Sequence, residues 1–225
     1  MTTPATIERL REMGLTPVWR SRSSVPDAEM PVVTREGVIA TLEWDALIAD
    51  IGGCTACGLC RTRKKTVPGV GAGTSQWMFV GEGPGAEEDA LGEPFVGQAG
   101  RLLDNMLKAI GLHRSKDAYI ANVVKCRPPG NRDPEPMEVA ACSPYLARQV
   151  ELLQPKLIVA LGKFAALTLL DTDATVSSLR GRVHDYRGVP LIVTYHPAYL
   201  LRNLTDKVRA WEDLLFARRT FDALQ

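Results

Sequence analysis

The sequence predicts an α/β protein, a three-layer α/β/α sandwich around a central, mainly parallel, four-stranded sheet. Three observations carry that expectation. Four short apolar runs, most of them closed by a glycine or proline turn, read as strands buried on both faces. Stretches with apolar residues at helical spacing lie between them. Strand and helix therefore alternate, which implies parallel strands covered by helices on both sides.

The elements follow in order. Residues 1–40 read as an N-terminal extension and linker. Thr3-Pro4 starts and Gly14 stops a short helix carrying Ile7, Leu10 and Met13. "VWRSRSSVPDAEMPVVTREG" (18–37) has no period and contains two prolines, which reads as a linker. The folded domain is expected over 41–225, with Thr41 as a helix N-cap. Trp44, Leu47, Ile48 and Ile51 then recur at i, i+3, i+4 and i+7, and Gly52-Gly53 ends that helix. "QWMFVGE" (76–82) is the first strand. Leu102, Leu103, Met106, Leu107 and Ile110 share a helical face stopped by Gly111. "AYIANVV" (118–124) is the second strand, and Val139, Cys142, Leu146, Val150 and Leu153 mark the next helix, ending before Pro155. "KLIVALG" (156–162) is the third strand, followed by a helix over 163–170. "PLIVTYH" (190–196) is the fourth, and a last helix spans about 206–219.

Ligands of such sheets bind beyond the carboxyl ends of the strands. That rule singles out "GEGPG" after the first strand, Asn122 in the second, and "HPAYLLR" after the fourth.

Composition narrows the class. The chain has 225 residues, 45% hydrophobic and 24% charged, ordinary for a globular protein. No apolar run approaches the roughly 18 residues of a membrane span. A signal-peptide core is missing, and Glu8 and Glu12 argue against a transit peptide, so a cytoplasmic protein without membrane attachment is expected. Its cysteines then read as metal ligands before disulfides. A net charge of +1 announces no nucleic-acid partner; such binding would use local groups such as Arg61, Arg63, Lys64 and Lys65, or Lys125, Arg127 and Arg132. The plain reading of each group is a solvated face, and charge alone favours it.

Cys54-x2-Cys57 places two thiols on one tight turn, a spacing that suits zinc or an iron–sulfur cluster. Cys126 follows a strand, and Cys142 sits on the next helix after fifteen intervening residues. An alternative set uses Cys60 in a C-x2-C-x2-C run with one distal cysteine, and spacing does not choose between the sets or between zinc and iron. Taken singly, Cys142 would be a small buried hydrophobe.

"GEGPGAEEDALGEPFVGQAG" (81–100) joins glycines to carboxylates. It is neither a Walker loop nor G-x-G-x-x-G. Its glycines admit a ligand close to the backbone, and its carboxylates suit general-base or positioning work. Phe95 offers a flat surface beside such a pocket, and His196 stands where the last strand leaves the sheet.

Taken together, these segments resemble the uracil-DNA glycosylase superfamily, and within it the iron–sulfur family 4. The similarity runs over about residues 52–219 and includes, in family order, "GEGPGAEED", "GEPFVGQAGRLLD", "NVVKCRPPGNRDP", "LIVALGKFA", "LRG" and "HPAYLLR". The resemblance implies a 4Fe–4S cluster on Cys54, Cys57, Cys126 and Cys142, leaves Cys60 spare, and suggests a structural cluster that ties the pocket loops to the sheet. It implies a monomeric enzyme that flips a nucleotide out of single- or double-stranded uracil-containing DNA and hydrolyses its N-glycosidic bond.

By the motif match, Phe95 stacks on uracil. The Asn122 amide pairs with the O4 and N3–H edge, and His196 donates to O2 as charge develops there. Gly81 and Gly83 belong to the substrate turn, and Glu82 is the first candidate to activate water, with Asp89 second. Where the best-known branch has a water-orienting aspartate, this chain has Gly83. Leu200, Leu201 and Arg202 would form the loop that fills the vacated stack. Lys163 and the amides of the glycine turn and of Gly162-Lys163 would hold phosphates.

Two alternatives predict different residues. A covalent uracil-DNA binder of the same superfamily carries an inserted basic loop with a nucleophilic histidine, and "ALGEPFVGQAG" has neither. A non-catalytic iron–sulfur DNA-binding module has no need of the Asn122, Phe95 and His196 set.

Overall fold

The computed structural model describes residues 4–14 and 34–225. The chain divides into two compact units, Met1–Thr34 and Arg35–Gln225. In the first, helix α1 (Pro4–Glu12) ends ahead of Gly14 at φ +70°. Residues 18–33 of the expected linker lie outside the described residues. The end of that stretch, Arg35–Thr41, is helix α2, and its Ile39 is buried in the core. Thr41 therefore closes α2, its hydroxyl donating to Val38 O at 2.8 Å, and Glu43 is the N-cap of α3 (Trp44–Gly53).

The rest alternates as β1 (Trp77–Gly81), α4 (Ala86–Leu91), α5 (Gln98–Ala109), β2 (Ala118–Asn122), α6 (Pro136–Leu153), β3 (Leu157–Leu161), α7 (Lys163–Leu170), α8 (Val176–Leu179), β4 (His184–Tyr186), β5 (Val189–Thr194), α9 (Pro197–Arg202) and α10 (Lys207–Asp222). The sheet order is β2-β1-β3-β5-β4. Four strands are parallel, and β4 pairs antiparallel with β5 at the edge.

The sheet therefore has five strands, not four. The three residues of β4 are half-exposed and polar, without an apolar run. Arg187 and Gly188 turn the chain into β5 with φ +54° and +82°, the paired positive values of a type I′ hairpin.

Alternate strand residues separate the core into two layers, as the sandwich requires. Met78, Val80, Ala121, Ile158 and Val193 pack with α3, α6 and α7. Trp77, Phe79, Ile120, Val159 and Ile192 pack with α5 and α10. Connections to either side of β1 place a switch point at its carboxyl end, and a cleft opens there. No helix among the described residues is long and apolar enough to cross a membrane.

Candidate active site

The cleft has a volume of about 440 Å³ and is lined by Glu82, Gly83, Phe95, Asn122, His196 and Arg202, among others. Asn122 is the last residue of β2 and pairs in register with Gly81. It is 2% exposed, and its Oδ1 has no hydrogen-bond partner. An orphaned buried amide oxygen costs about 1–3 kcal/mol, a cost that a ligand N–H in the cleft would remove. Gly81 lies behind this amide. A Cβ there would sit 2.5 Å from Asn122 Oδ1 and 2.7 Å from the Phe95 ring, so only glycine lets the two meet.

Phe95 adopts φ +54°, unfavourable for a side chain of its size. Arg114 holds it, donating to Pro94 O at 2.7 Å and Phe95 O at 3.0 Å while pairing with Asp104 at 3.0 Å. The Phe95 carbonyl also fills the space where Gly100 would carry a Cβ. Arg114 is remote in sequence from Phe95 and carried no signal of this role.

The His196 ring centroid lies 5.5 Å from that of Phe95. His196 Nδ1 accepts the Ala198 amide at 3.1 Å, which leaves the neutral ring's proton on Nε2. Burial, with Arg202 adding to it, pushes His196 down to about 4, so the ring is neutral at pH 7. Glu82 moves the other way. Burial, reinforced by Asp133, raises its carboxyl to about 7.

Sequence reasoning missed Glu88. Its carboxylate accepts from Gly85 N at 3.1 Å, Val96 N at 3.0 Å and Gly97 N at 3.3 Å, bracing the turn after β1 against the turn that carries Phe95. The signal was the capping-box spacing of Gly85 to Glu88. It also occupies an amide expected to hold phosphate. Likewise Gly162 N donates to Thr194 O at 2.8 Å, so a phosphate at this helix start would rely on the exposed Lys163.

Three expected positions differ. Asp89 is 2% exposed, accepts the Lys64 amide at 2.9 Å and lies outside the cleft lining; it anchors the 61–65 segment instead. Leu200 is 1% exposed in the core, whereas Leu201 and Arg202 are exposed. These residues end helix α9 rather than forming a loop. Lys125 is buried at 1% exposure and belongs to no surface patch, because its ammonium donates to Asn122 O and Gln149 Oε1.

The five cysteines line one cavity behind β2, with Cys54 at the end of α3, Cys126 after β2 and Cys142 on α6. Basic and amide donors face their sulfurs. Arg63 Nη1 reaches Cys126 Sγ at 3.1 Å, Arg35 Nη2 reaches Cys54 Sγ at 3.6 Å, and Lys125 N reaches Cys142 Sγ at 3.3 Å. Such donors suit thiolates. Burial, with the neighbouring cysteines adding to it and Lys125 and Arg63 opposing it, raises Cys142 to about 11 and Cys126 above its usual value, so a bound cation is what would keep them deprotonated. Among the described residues no three His, Cys, Asp or Glu side chains converge on a single metal ion. Soft thiolates spread around a cavity fit an iron–sulfur group better than one tetrahedral zinc.

A family model described as the uracil DNA glycosylase superfamily matches residues 68–215, which includes the cleft but not Cys54 or Cys57. The chain is 48% identical over 165 residues to the type-4 uracil-DNA glycosylase of Archaeoglobus fulgidus, covering 70% of this chain and 82% of that protein. It is 47% identical over 158 residues to the type-4 uracil-DNA glycosylase of Thermotoga maritima, covering 69% and 82%. A type-5 uracil-DNA glycosylase of Pyrobaculum aerophilum is 34% identical over 154 residues, covering 60% and 67%.

Proposed function

The chain belongs to the uracil DNA glycosylase superfamily, and from that premise we propose how its own residues carry out uracil excision. It is a DNA-repair glycosylase acting on uracil-containing DNA. The observation that carries the residue assignment is the unpartnered Oδ1 of Asn122, buried beside Phe95 in the cleft.

Uracil enters against Phe95. Asn122 Oδ1 accepts its N3–H and the amide NH2 donates to O4, whereas cytosine presents an acceptor at N3 and a donor at C4 and is refused. His196, neutral with its proton on Nε2, donates to O2. As the C1′–N1 bond breaks, its electron pair passes into the uracil ring and that hydrogen bond strengthens. Glu82 takes the proton from the water whose oxygen bonds to C1′. A carboxyl near 7 is matched to that work at neutral pH. Gly83 shares the cleft wall, where a Cβ would lie 2.8 Å from the Val124 side chain. Leu201 and Arg202 face the DNA, with Lys163 on a backbone phosphate.

Cys54, Cys57, Cys126 and Cys142 would hold a 4Fe–4S cluster. Hydrolysis moves no electrons, so the cluster supplies a rigid tie between α3, α6 and the end of β2. The glycosylase works in the cytoplasm as a monomer, since one lesion needs one pocket, and the Arg35–Gln225 unit, six residues longer at its start than the expected 41–225, carries the activity.

The test is a single-uracil oligonucleotide incubated with the protein, treated with hot alkali and run on a denaturing gel. A shortened strand from uracil DNA and not from thymine DNA is expected, and Asn122→Ala should abolish it. An uncut strand from iron-loaded, folded protein would overturn the assignment.

A further inference from the structure

Lys125 connects the base-reading residue to the cysteine cavity. Its Nζ donates to the carbonyl of Asn122 at 2.8 Å and to Gln149 Oε1 at 2.7 Å, and its backbone amide donates to Cys142 Sγ at 3.3 Å. Both side chains are enclosed, Lys125 at 1% exposure and Gln149 at 0%. Gln149 is fixed in turn, because its Nε2 donates to Pro68 O at 2.9 Å and to the Tyr119 hydroxyl at 3.1 Å.

This is a costly arrangement for a lysine, since a buried ammonium normally needs a charged partner. Among the described residues no carboxylate pairs with it. Its tie to the cysteine site runs through its own backbone, whose amide donates to Cys142 Sγ. Packing alone does not explain such a group, since a methionine would fill the same space without desolvating a charge. What the ammonium supplies is direction. It fixes the carbonyl of the residue whose side chain reads the base, at the end of the strand where the ladder stops.

We propose that Lys125 is a positioning residue that sets the Asn122 amide for uracil and makes that setting depend on the intact cysteine site. The inference rests on the reading of Asn122 as the base reader. A displacement of about 1 Å at such a group can cost on the order of 10²-fold in rate.

The experiment uses the full chain purified with its iron, comparing Lys125→Met, Gln149→Met and Asn122→Ala with the parent. Four quantities are read: iron and sulfide content, single-turnover excision from a single-uracil oligonucleotide, inhibition by free uracil, and affinity for an oligonucleotide with a tetrahydrofuran abasic site. Lys125→Met is expected to keep its iron, to excise about tenfold or more slowly, and to need about tenfold more uracil for inhibition. Its abasic-site affinity should stay within about twofold, because Asn122 touches only the base. A merely structural role would not separate uracil binding from abasic-site binding in this way.

Excision and uracil inhibition within about threefold of the parent would overturn the proposal. Should Lys125→Met lose its iron, Gln149→Met decides, since it leaves the Lys125 amide and Cys142 untouched. Weakened uracil inhibition with iron intact then supports the proposal, and unchanged inhibition overturns it. An Asn122→Ala protein that behaves like the parent would instead sink the reading of Asn122 and this inference with it. An impaired Asn122→Ala beside a normal Lys125→Met would sink this inference alone.

Discussion

Arg114 holds Phe95 by its backbone: the guanidinium donates to the Phe95 carbonyl at 3.0 Å, and the φ of +54° persists because this bond and the close approach of Gly100 leave the peptide no other place. The same guanidinium reaches Pro94 O and is aimed by Asp104. Arg114→Ala leaves two carbonyls without donors, at about 1–3 kcal/mol for each one that stays buried. We expect a lower melting temperature and single-turnover excision slowed about tenfold or more as the ring loses its setting. Arg114→Lys, which cannot fork to two carbonyls, should fall between. Excision at the parent rate by folded Arg114→Ala would show that Gly100 packing alone holds Phe95.

Glu82 predicts a pH dependence. Its carboxyl titrates near 7, so excision should rise with pH through that value as the carboxylate forms. Glu82→Gln should cut turnover by about 10²–10⁴-fold and abolish the rise. Stability runs the opposite way. The folded pKa lies above the unfolded one, so this residue's contribution is fully present below about 4.5 and is lost as pH rises through about 7. Glu82→Gln should therefore gain stability over the parent at pH 8 and little at pH 4, read from urea midpoints. A flat rate profile in the parent would remove Glu82 as the base.

The cysteines separate by position. Cys126→Ser and Cys142→Ser each remove a buried sulfur that accepts a hydrogen bond, and both are expected to yield colourless, destabilised protein. Cys60→Ser is expected to keep its iron and its visible absorbance. Arg63→Met removes the donor to Cys126, and its iron should be lost faster in air at unchanged initial loading. Loss of iron in Cys60→Ser, with iron retained in Cys57→Ser, would exchange the two as ligands.

What could be read beforehand follows from where the physics is written. The four parallel strands are buried on both faces, so each announces itself as an apolar run. β4 escaped because its three residues are half-exposed and its pairing depends on a two-residue turn, Arg187-Gly188, whose side chains advertise little. Asn122 and His196 were legible because they stand at or just after strand ends, and Phe95 because it belongs to a motif shared with the family. Glu88 and Arg114 were not, since each acts through backbone groups that only folding brings near. Charge read along the chain misled at Lys125 and Asp89, because a one-dimensional pattern carries no burial. The cysteine set came from whole-motif resemblance, spacing having left Cys60 open.

Leu200 and Leu201 are neighbours with opposite surroundings, one 1% exposed in the core and the other 39% exposed at the end of α9. Leu200→Ala should behave as a core truncation, costing about 2–5 kcal/mol in unfolding free energy. Leu201→Ala should leave stability unchanged and act only where DNA must be unstacked. An apolar wedge offsets the loss of base stacking in a duplex and has less to offset in a single strand. Excision from double-stranded uracil DNA is therefore expected to fall several-fold more than excision from the single strand. Equal losses on both substrates would assign Leu201 to general DNA contact, and no loss on either would move the wedge to another exposed apolar side chain, of which Leu204 at 63% exposure is the nearest in sequence.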